Sequence, residues 1–256
     1  MGRNTDAGAL TAQELYELTV QAPRVSAELL RDVHGASPRV LGEDFAGSGA
    51  LSRAWVELVP DGRAFAVDRD ARNLARAVHP RVEAHVLDVR SPEVRRLGPC
   101  DVVHAGNFSL GELHERAELV GWARASHSRL ARGGIVAADT YGGESAWRVG
   151  SLERRRVLED GREIRWVWDQ RSADPRTAEV VNALSFRVLR AGVVVSEMPD
   201  AFVYRWRLWS VPELVDVLCE VGFVDVTVRT CLDGERESDS EEVRLHSSCV
   251  ALVVGR

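Results

Sequence analysis

The residues with the strongest chemical signature are Val40-Leu-Gly-Glu-Asp-Phe-Ala-Gly-Ser-Gly49. An apolar pair, an acidic residue and a glycine turn precede a helical pattern with Leu51, Trp55 and Leu58 on one side. Gly47 and Gly49 let the backbone pass close to a ligand with no Cβ in the way. The next apolar run, Ala64–Val67, ends in Asp68, where a carboxylate can accept hydrogen bonds from both hydroxyls of a ribose. A third run, Val82–Leu87, leads into Asp88-Val89. A carboxylate beside an apolar wall suits the amino group of adenine. Together these residues describe a nucleoside site.

The order strand, glycine turn, helix, acidic strand end serves dinucleotides and S-adenosylmethionine alike. Three details favour the second. The dinucleotide fingerprint has Gly or Ala three residues after the second glycine, and Ser52 stands there. Glu43 precedes the turn, where it would repel a pyrophosphate but suits a positively charged ligand. The third is the Leu87-Asp88-Val89 strand end itself.

The bulk sequence narrows the function classes. A net charge of −6 over 256 residues does not suggest a nucleic-acid binder, for which a basic surface is expected. Arg154-Arg155-Arg156 is the tightest basic cluster and reads as a solvated helix face. The chain has no lysine, which excludes a P-loop lysine and a lysine Schiff base. Cys100, Cys219, Cys231 and Cys249 have neither zinc-ligand nor disulfide-framework spacing, so no metal is expected. No apolar run approaches the ~20 residues of a membrane span, and no signal-peptide pattern opens the chain, which predicts a cytoplasmic protein with no membrane partner.

The elements that must position these residues read as an α/β fold. Thr11-Ala-Gln-Glu14 has the form of a capping box, and Pro23 divides the N-terminal helical segment in two. From residue 38 strands alternate with helices: the three runs above, then Asp101–Ala105 and Gly134–Ala138. Repeated β-α units of this length give a parallel sheet. Residues 161–208 then read as three strands without helices, with Trp166 and Trp168 alternating with other residues and turns at Asp174-Pro175 and Ala191-Gly192. Ser210-Val-Pro-Glu213 caps a last helix that ends at Gly222. Phe223–Arg229 and Val243–Val254 close the fold around an acidic loop, Asp233 to Glu242. The expected organisation is one domain: a helical cap (1–37), a Rossmann-like core (38–140 and 210–256) and an inserted lid (141–209).

With these motifs in place, the sequence resembles the class I S-adenosylmethionine-dependent methyltransferases over roughly residues 38–140 and 205–254. That family's first motif is acidic-x-Gly-x-Gly-x-Gly; here it reads Glu43-Asp-Phe45-Ala46-Gly47-Ser-Gly49, with Phe45 replacing the first glycine. The closing pair Gly-Phe-Val-Asp-Val-Thr-Val and Ser-Cys-Val-Ala-Leu-Val-Val is also family-like, and an antiparallel last strand separates these enzymes from dehydrogenases. The resemblance implies a seven-stranded, mostly parallel sheet with that last strand antiparallel, plus an inserted antiparallel β meander. It implies Glu43 near the methionine portion of the cofactor, with Phe45, Ala46, Gly47 and Gly49 forming the turn. Asp68 and Arg69 fall at the ribose, Asp88 and Val89 at adenine, and Asn107 and Phe108 at the methionine end. Asp139-Thr-Tyr141-Gly-Gly and Tyr204-Arg-Trp-Arg207-Leu-Trp209 look like a small-molecule subgroup.

In that frame the sulfonium cofactor supplies an activated methyl group, and the protein's work is to bring up a nucleophile and exclude water. Candidate catalytic residues are Tyr141, His114 and Asp139; candidate substrate contacts are Tyr16, Trp166, Trp168, Arg207 and Trp209. Trp166 and Trp168 suit a packed core as well as a cation–π wall, and Arg207 suits a carboxylate of the protein as well as one of a substrate. The expected activity is methyl transfer to O or N of a small molecule. An NAD-dependent oxidoreductase and a non-catalytic S-adenosylmethionine-binding protein stay open, and the oligomeric state is not readable.

Overall fold

Thr11 and Glu14 cap each other's backbone, as their spacing predicts, and start α1 (Ala12–Thr19). Pro23 occupies the first turn of α2 (Pro23–His34), where its missing N–H costs nothing, and Gly35 ends that helix in the left-handed conformation. The computed structural model describes residues 10–230 and 249–256. The expected acidic loop, Cys231 and the first part of the expected closing strand lie outside the described residues. The chain divides into two compact units: residues 22–146 with 207–256, and residues 1–21 with 147–206. The N-terminal segment, expected as one cap over residues 1–37, is therefore split between them.

In the larger unit the β-α alternation runs β1 (Val40–Asp44), α3 (Ala50–Leu58), β2 (Arg63–Asp68), α4 (Ala71–Leu74), β3 (Val82–Val86), β4 (Cys100–Ala105), α5 (Arg116–Ser128) and β5 (Leu130–Gly142). The chain returns through α6 (Val211–Glu220), β10 (Val226–Thr230) and β11 (Cys249–Gly255), after the four strands β6 to β9 of the other unit. Among the described residues seven strands form one sheet in the order β10-β11-β5-β4-β1-β2-β3. β1 to β5 are parallel, and β11 runs against both of its neighbours. This is the expected fold class, with the strand order reversing direction between β1 and β4, where open α/β sheets bind ligands beyond the carboxyl ends of the strands.

Alternation along the strands builds two cores, one on each face. Val102, Leu41 and Ala137 pack with Trp55 of α3 and Leu30 of α2. Val103, Ala105 and Val136 pack with Trp122 of α5 and with Leu214 and Val217 of α6. Trp55 and Trp122 are fully buried, one in each core. An indole removes roughly 150–250 Å² from water, so each contributes about 4–6 kcal/mol as an upper estimate. Below the second core lies a completely buried ion pair: Arg129 Nη1 donates to Asp44 Oδ1 at 2.8 Å, and Trp122 Nε1 donates to Asp44 Oδ2 at 2.9 Å. A Cβ on Gly42 would sit 2.6 Å from Arg129 Nη2, so the pair also requires a glycine there.

The smaller unit holds a four-stranded antiparallel sheet: β6 (Gly150–Val157), β7 (Arg162–Asp174), β8 (Glu179–Arg190) and β9 (Val193–Arg207), in that order. The sequence predicts three strands here. The missed strand is β6, which is exposed along its whole length and carries no apolar alternation to betray it. Arg154-Arg155-Arg156, expected on a helix, lies on this strand and pairs with β7. One face of the sheet packs Ile164, Leu184, Phe186 and Val188 against Leu15 of α1. Arg156 adds a hydrogen bond to the carbonyl of Leu18. No helix among the described residues is long and apolar enough to cross a membrane.

Candidate active site

The turn after β1 is held by the end of β2. Ala46 N–H donates to Val67 O at 2.8 Å, Gly47 N–H donates to Asp68 Oδ2 at 2.8 Å, and Gly49 N–H closes the turn on Ala46 O. Phe45, Gly47 and Gly49 all have positive φ, at 55°, 54° and 67°. The two glycines do different work. A Cβ on Gly49 would lie 2.6 Å from Ala77 Cβ, so this glycine serves packing; a Cβ on Gly47 meets nothing within 4 Å, so the backbone there faces open space. Phe45 takes a conformation costly for a bulky side chain, and its ring packs on the core. Ala46 is buried with Ala66, Leu74 and Ala77.

Glu43, one strand position before Asp44, is buried. Its Oε2 accepts from Ser52 N at 2.9 Å and from Ser52 Oγ at 2.5 Å. Ser52, the residue that departs from the dinucleotide fingerprint, is thus the partner of the acidic residue before the turn. Burial outweighs these bonds and pushes the Glu43 carboxyl up to about 7. Asp68 Oδ1 accepts from Asp70 N at 2.8 Å, so each of its oxygens holds one backbone N–H. A carboxylate has about four acceptor positions, which leaves lone pairs for hydroxyl groups. Arg69 pairs with Glu112 at 3.1 Å. Asp88 is clasped by its own neighbour: Arg90 donates through N, Nε and Nη2, and this guanidinium holds the Asp88 carboxyl below its ordinary range. The Val89 side chain is buried in the core, leaving only its backbone for contact with a ligand.

A second turn follows β4. Asn107 and Phe108 are both left-handed, at φ 55° and 61°. Their N–H groups donate to the two oxygens of Asp139, at 2.8 and 2.6 Å. Desolvation still raises the Asp139 carboxyl to about 6. The Phe108 ring lies 4.7 Å from that of Tyr141. Downstream, Trp209 Nε1 donates to the carbonyls of Leu110 and Leu113. Arg207 lies with its guanidinium carbon 3.8 Å over the Trp209 ring, donates to His114 O at 3.0 Å and pairs with Glu213 at 3.2 Å. His114 N–H in turn donates to Glu118.

These contacts correct one expectation. Trp209 is 3% exposed with its indole N–H committed, so it braces the segment after β4 and offers no face to a substrate. Arg207 takes the protein carboxylate of its two expected partners. Tyr16, Trp166 and Trp168 lie in the smaller unit. There Tyr16 meets Phe202 at 5.3 Å and Trp168 stacks near Tyr204 and Trp206, while Trp166 packs in the same apolar cluster. The sequence reading took Tyr204 and Trp206 only as part of a motif and missed that with Phe202 they form the β9 part of that aromatic row, although alternate spacing is the signal of one strand face. It also missed His104, a histidine within the apolar run of β4 whose Nδ1 lies 2.9 Å from Ala137 O.

No family model matches the chain, and no curated protein matches it in sequence. Its fold is shared with solved structures. The sugar N-methyltransferase KedS8 from Streptoalloteichus is 18% identical, with a TM-score of 0.69 over 100% of this chain and 96% of its own. DesVI from Streptomyces venezuelae is 18% identical, with a TM-score of 0.70 over 95% of this chain and 96% of its own. CalS10 from Micromonospora echinaspora, described as an amino pentose methyltransferase with S-adenosylmethionine bound, is 17% identical with a TM-score of 0.69 over 94% and 97%.

Proposed function

We propose that this chain transfers a methyl group from S-adenosylmethionine to a nitrogen or oxygen of a small molecule. The observation that carries the reading is the turn after β1: Asp68 pins Gly47 from the next strand, keeps acceptor positions in reserve, and leaves the Gly47 backbone facing open space. The donor set fits the cofactor, with acidic Glu43 before the turn suited to a cationic ligand and wrongly charged for a pyrophosphate. Asp68 would hold the ribose, and the turns at Phe45–Gly49 and Asn107-Phe108 would border the methionine portion. Asp88 would meet adenine only through acceptor capacity left over from Arg90. When bound, the cofactor supplies a methyl group already activated on a sulfonium.

The chain's own contribution is positioning, which is worth ~7–11 kcal/mol in favourable cases. Asp139 has both oxygens on peptide N–H groups, so it serves as a positioning residue for the Asn107-Phe108 turn. Tyr141, beside Phe108, and His114 remain the groups to take up a proton if the acceptor is a hydroxyl or an ammonium. The fold neighbours described as sugar and amino pentose methyltransferases support an amino sugar as the acceptor class to try first.

A thermal-shift panel tests this. S-adenosylmethionine and S-adenosylhomocysteine raise the melting temperature and NAD does not, because ligands of the folded state add stability. Asp68→Ala removes the shift. Stabilisation by NAD alone overturns the reading in favour of an oxidoreductase. A shift without methyl transfer to any of a panel of amino sugars reduces it to cofactor binding.

A further inference from the structure

His104 stands in the centre of the sheet, in one row with Glu43 of β1 and Ala137 of β5. Glu43 and His104 follow Leu41 and Val102 by two residues, so both project from the α2–α3 face of the sheet at its carboxyl edge. His104 as a residue is 6% exposed. Its Nδ1 lies 2.9 Å from the carbonyl of Ala137, which can only accept, so Nδ1 carries the proton and Nε2 presents a bare lone pair. Burial lowers the imidazole to about 4, which keeps it neutral near pH 7. Nε2 has no hydrogen-bond partner among the described residues.

Two further features belong to the same surroundings. A Cβ on Gly106 would overlap Nε2 and lie 3.2 Å from both Cδ2 and Cε1, so glycine at 106 is what gives the ring room to lie at this position. Glu43 Oε1 likewise has no partner among the described residues, its bonds to Ser52 being made through Oε2. The nearby groups offer acceptors: a carboxyl oxygen and an imidazole lone pair, with Asp139 two residues beyond Ala137 on β5. A ligand that answers them brings N–H donors and positive charge.

We infer that His104 is a further recognition residue of this site, its Nε2 accepting a hydrogen bond from the α-ammonium group of the cofactor's methionine portion. The inference rests on the S-adenosylmethionine reading. Adenine is expected at the other side of the sheet, beyond β3, and the sulfonium carries no N–H, so the ammonium is the group that matches. His104 acts as a neutral acceptor and moves no proton.

The test compares two ligands on three proteins by titration calorimetry. S-adenosylhomocysteine carries the α-ammonium group; 5′-methylthioadenosine keeps the nucleoside and lacks it. His104→Asn retains a donor for Ala137 O and removes the acceptor at the Nε2 position; His104→Gln places an acceptor there. The Asn variant binds S-adenosylhomocysteine about tenfold more weakly, as losing one charge-assisted bond implies, and the Gln variant stays within about threefold of the wild type. All three bind 5′-methylthioadenosine equally. Should the Asn variant fail to fold by its melting curve, His104→Leu carries the same comparison. Equal weakening of both ligands makes His104 a packing residue and overturns the inference, as does unchanged binding of S-adenosylhomocysteine by the Asn variant. If the wild type binds neither nucleoside, the cofactor reading itself fails, a result distinct from the other two.

Discussion

The turns after β1 and β4 solve one problem with different materials. Each ends a central parallel strand, each contains left-handed residues, and each is held by an aspartate from the neighbouring strand that accepts backbone N–H groups. The first uses glycine at two of its three left-handed positions. The second uses Asn107 and Phe108, and a left-handed Phe costs of order 1–3 kcal/mol. Asp139 meets that cost with two short bonds, whereas Asp68 spends one oxygen on Gly47 and the other on Asp70. Both turns carry one left-handed Phe; the first surrounds Phe45 with two glycines and takes one bond from Asp68, whereas the second, with no glycine at its left-handed positions, is clamped at both N–H groups by Asp139 and braced further along by Trp209.

The sharpest way to break this comparison is at Gly49. Gly49→Ala adds a Cβ that collides with Ala77 at a positive φ and should cost roughly 2–5 kcal/mol in denaturant unfolding. An effect below about 1 kcal/mol would show that packing does not explain this glycine. Asp139→Ala comes next: two N–H groups lose their acceptor and the strained pair loses its clamp, for about 2–3 kcal/mol. Gly47→Ala should cost only about 1–2 kcal/mol in stability, yet it places a methyl group over the open backbone and should cost more in S-adenosylhomocysteine affinity than in stability. Equal losses at Gly47 and Gly49 would erase the distinction between ligand glycine and packing glycine.

A further effect is one of pH. Glu43 and Asp139 titrate above their ordinary values in the folded chain, at about 7 and about 6. The folded state therefore holds protons that the unfolded chain has released, and the stability these groups contribute falls as pH rises from about 4 to about 7. Melting of the unliganded protein across that window should show the decline, and Glu43→Gln should flatten its upper part. A wild-type profile indistinguishable from that of the Gln variant would mean that Glu43 titrates normally.

Most of the larger unit was legible because its signals are local. The glycine turn, the Asp68 strand end and the Ser210 capping box depend on residues within a few positions of one another or on a repeated β-α spacing. The second turn was not legible in the same way. Asn107 and Phe108 carry no glycine, and the residue that stabilises them is 31 or 32 positions away. Trp209 misled for the opposite reason: beside Arg207 it reads as a binding wall, while its N–H is taken by carbonyls almost a hundred residues earlier. β6 escaped because a strand without apolar alternation has no period to read.

The Asp44–Arg129 pair ties together positions that could not drift separately. Removing either partner strands a buried charge, at about 3–5 kcal/mol, and any side chain at Gly42 would push into the guanidinium. Three sites, two on β1 and one at the end of α5, thus behave as one unit. Replacing them together with apolar residues is feasible on physical grounds, but each single step on the way is strongly destabilising. Engineering for tolerance to mutation would begin by exchanging that trio at once.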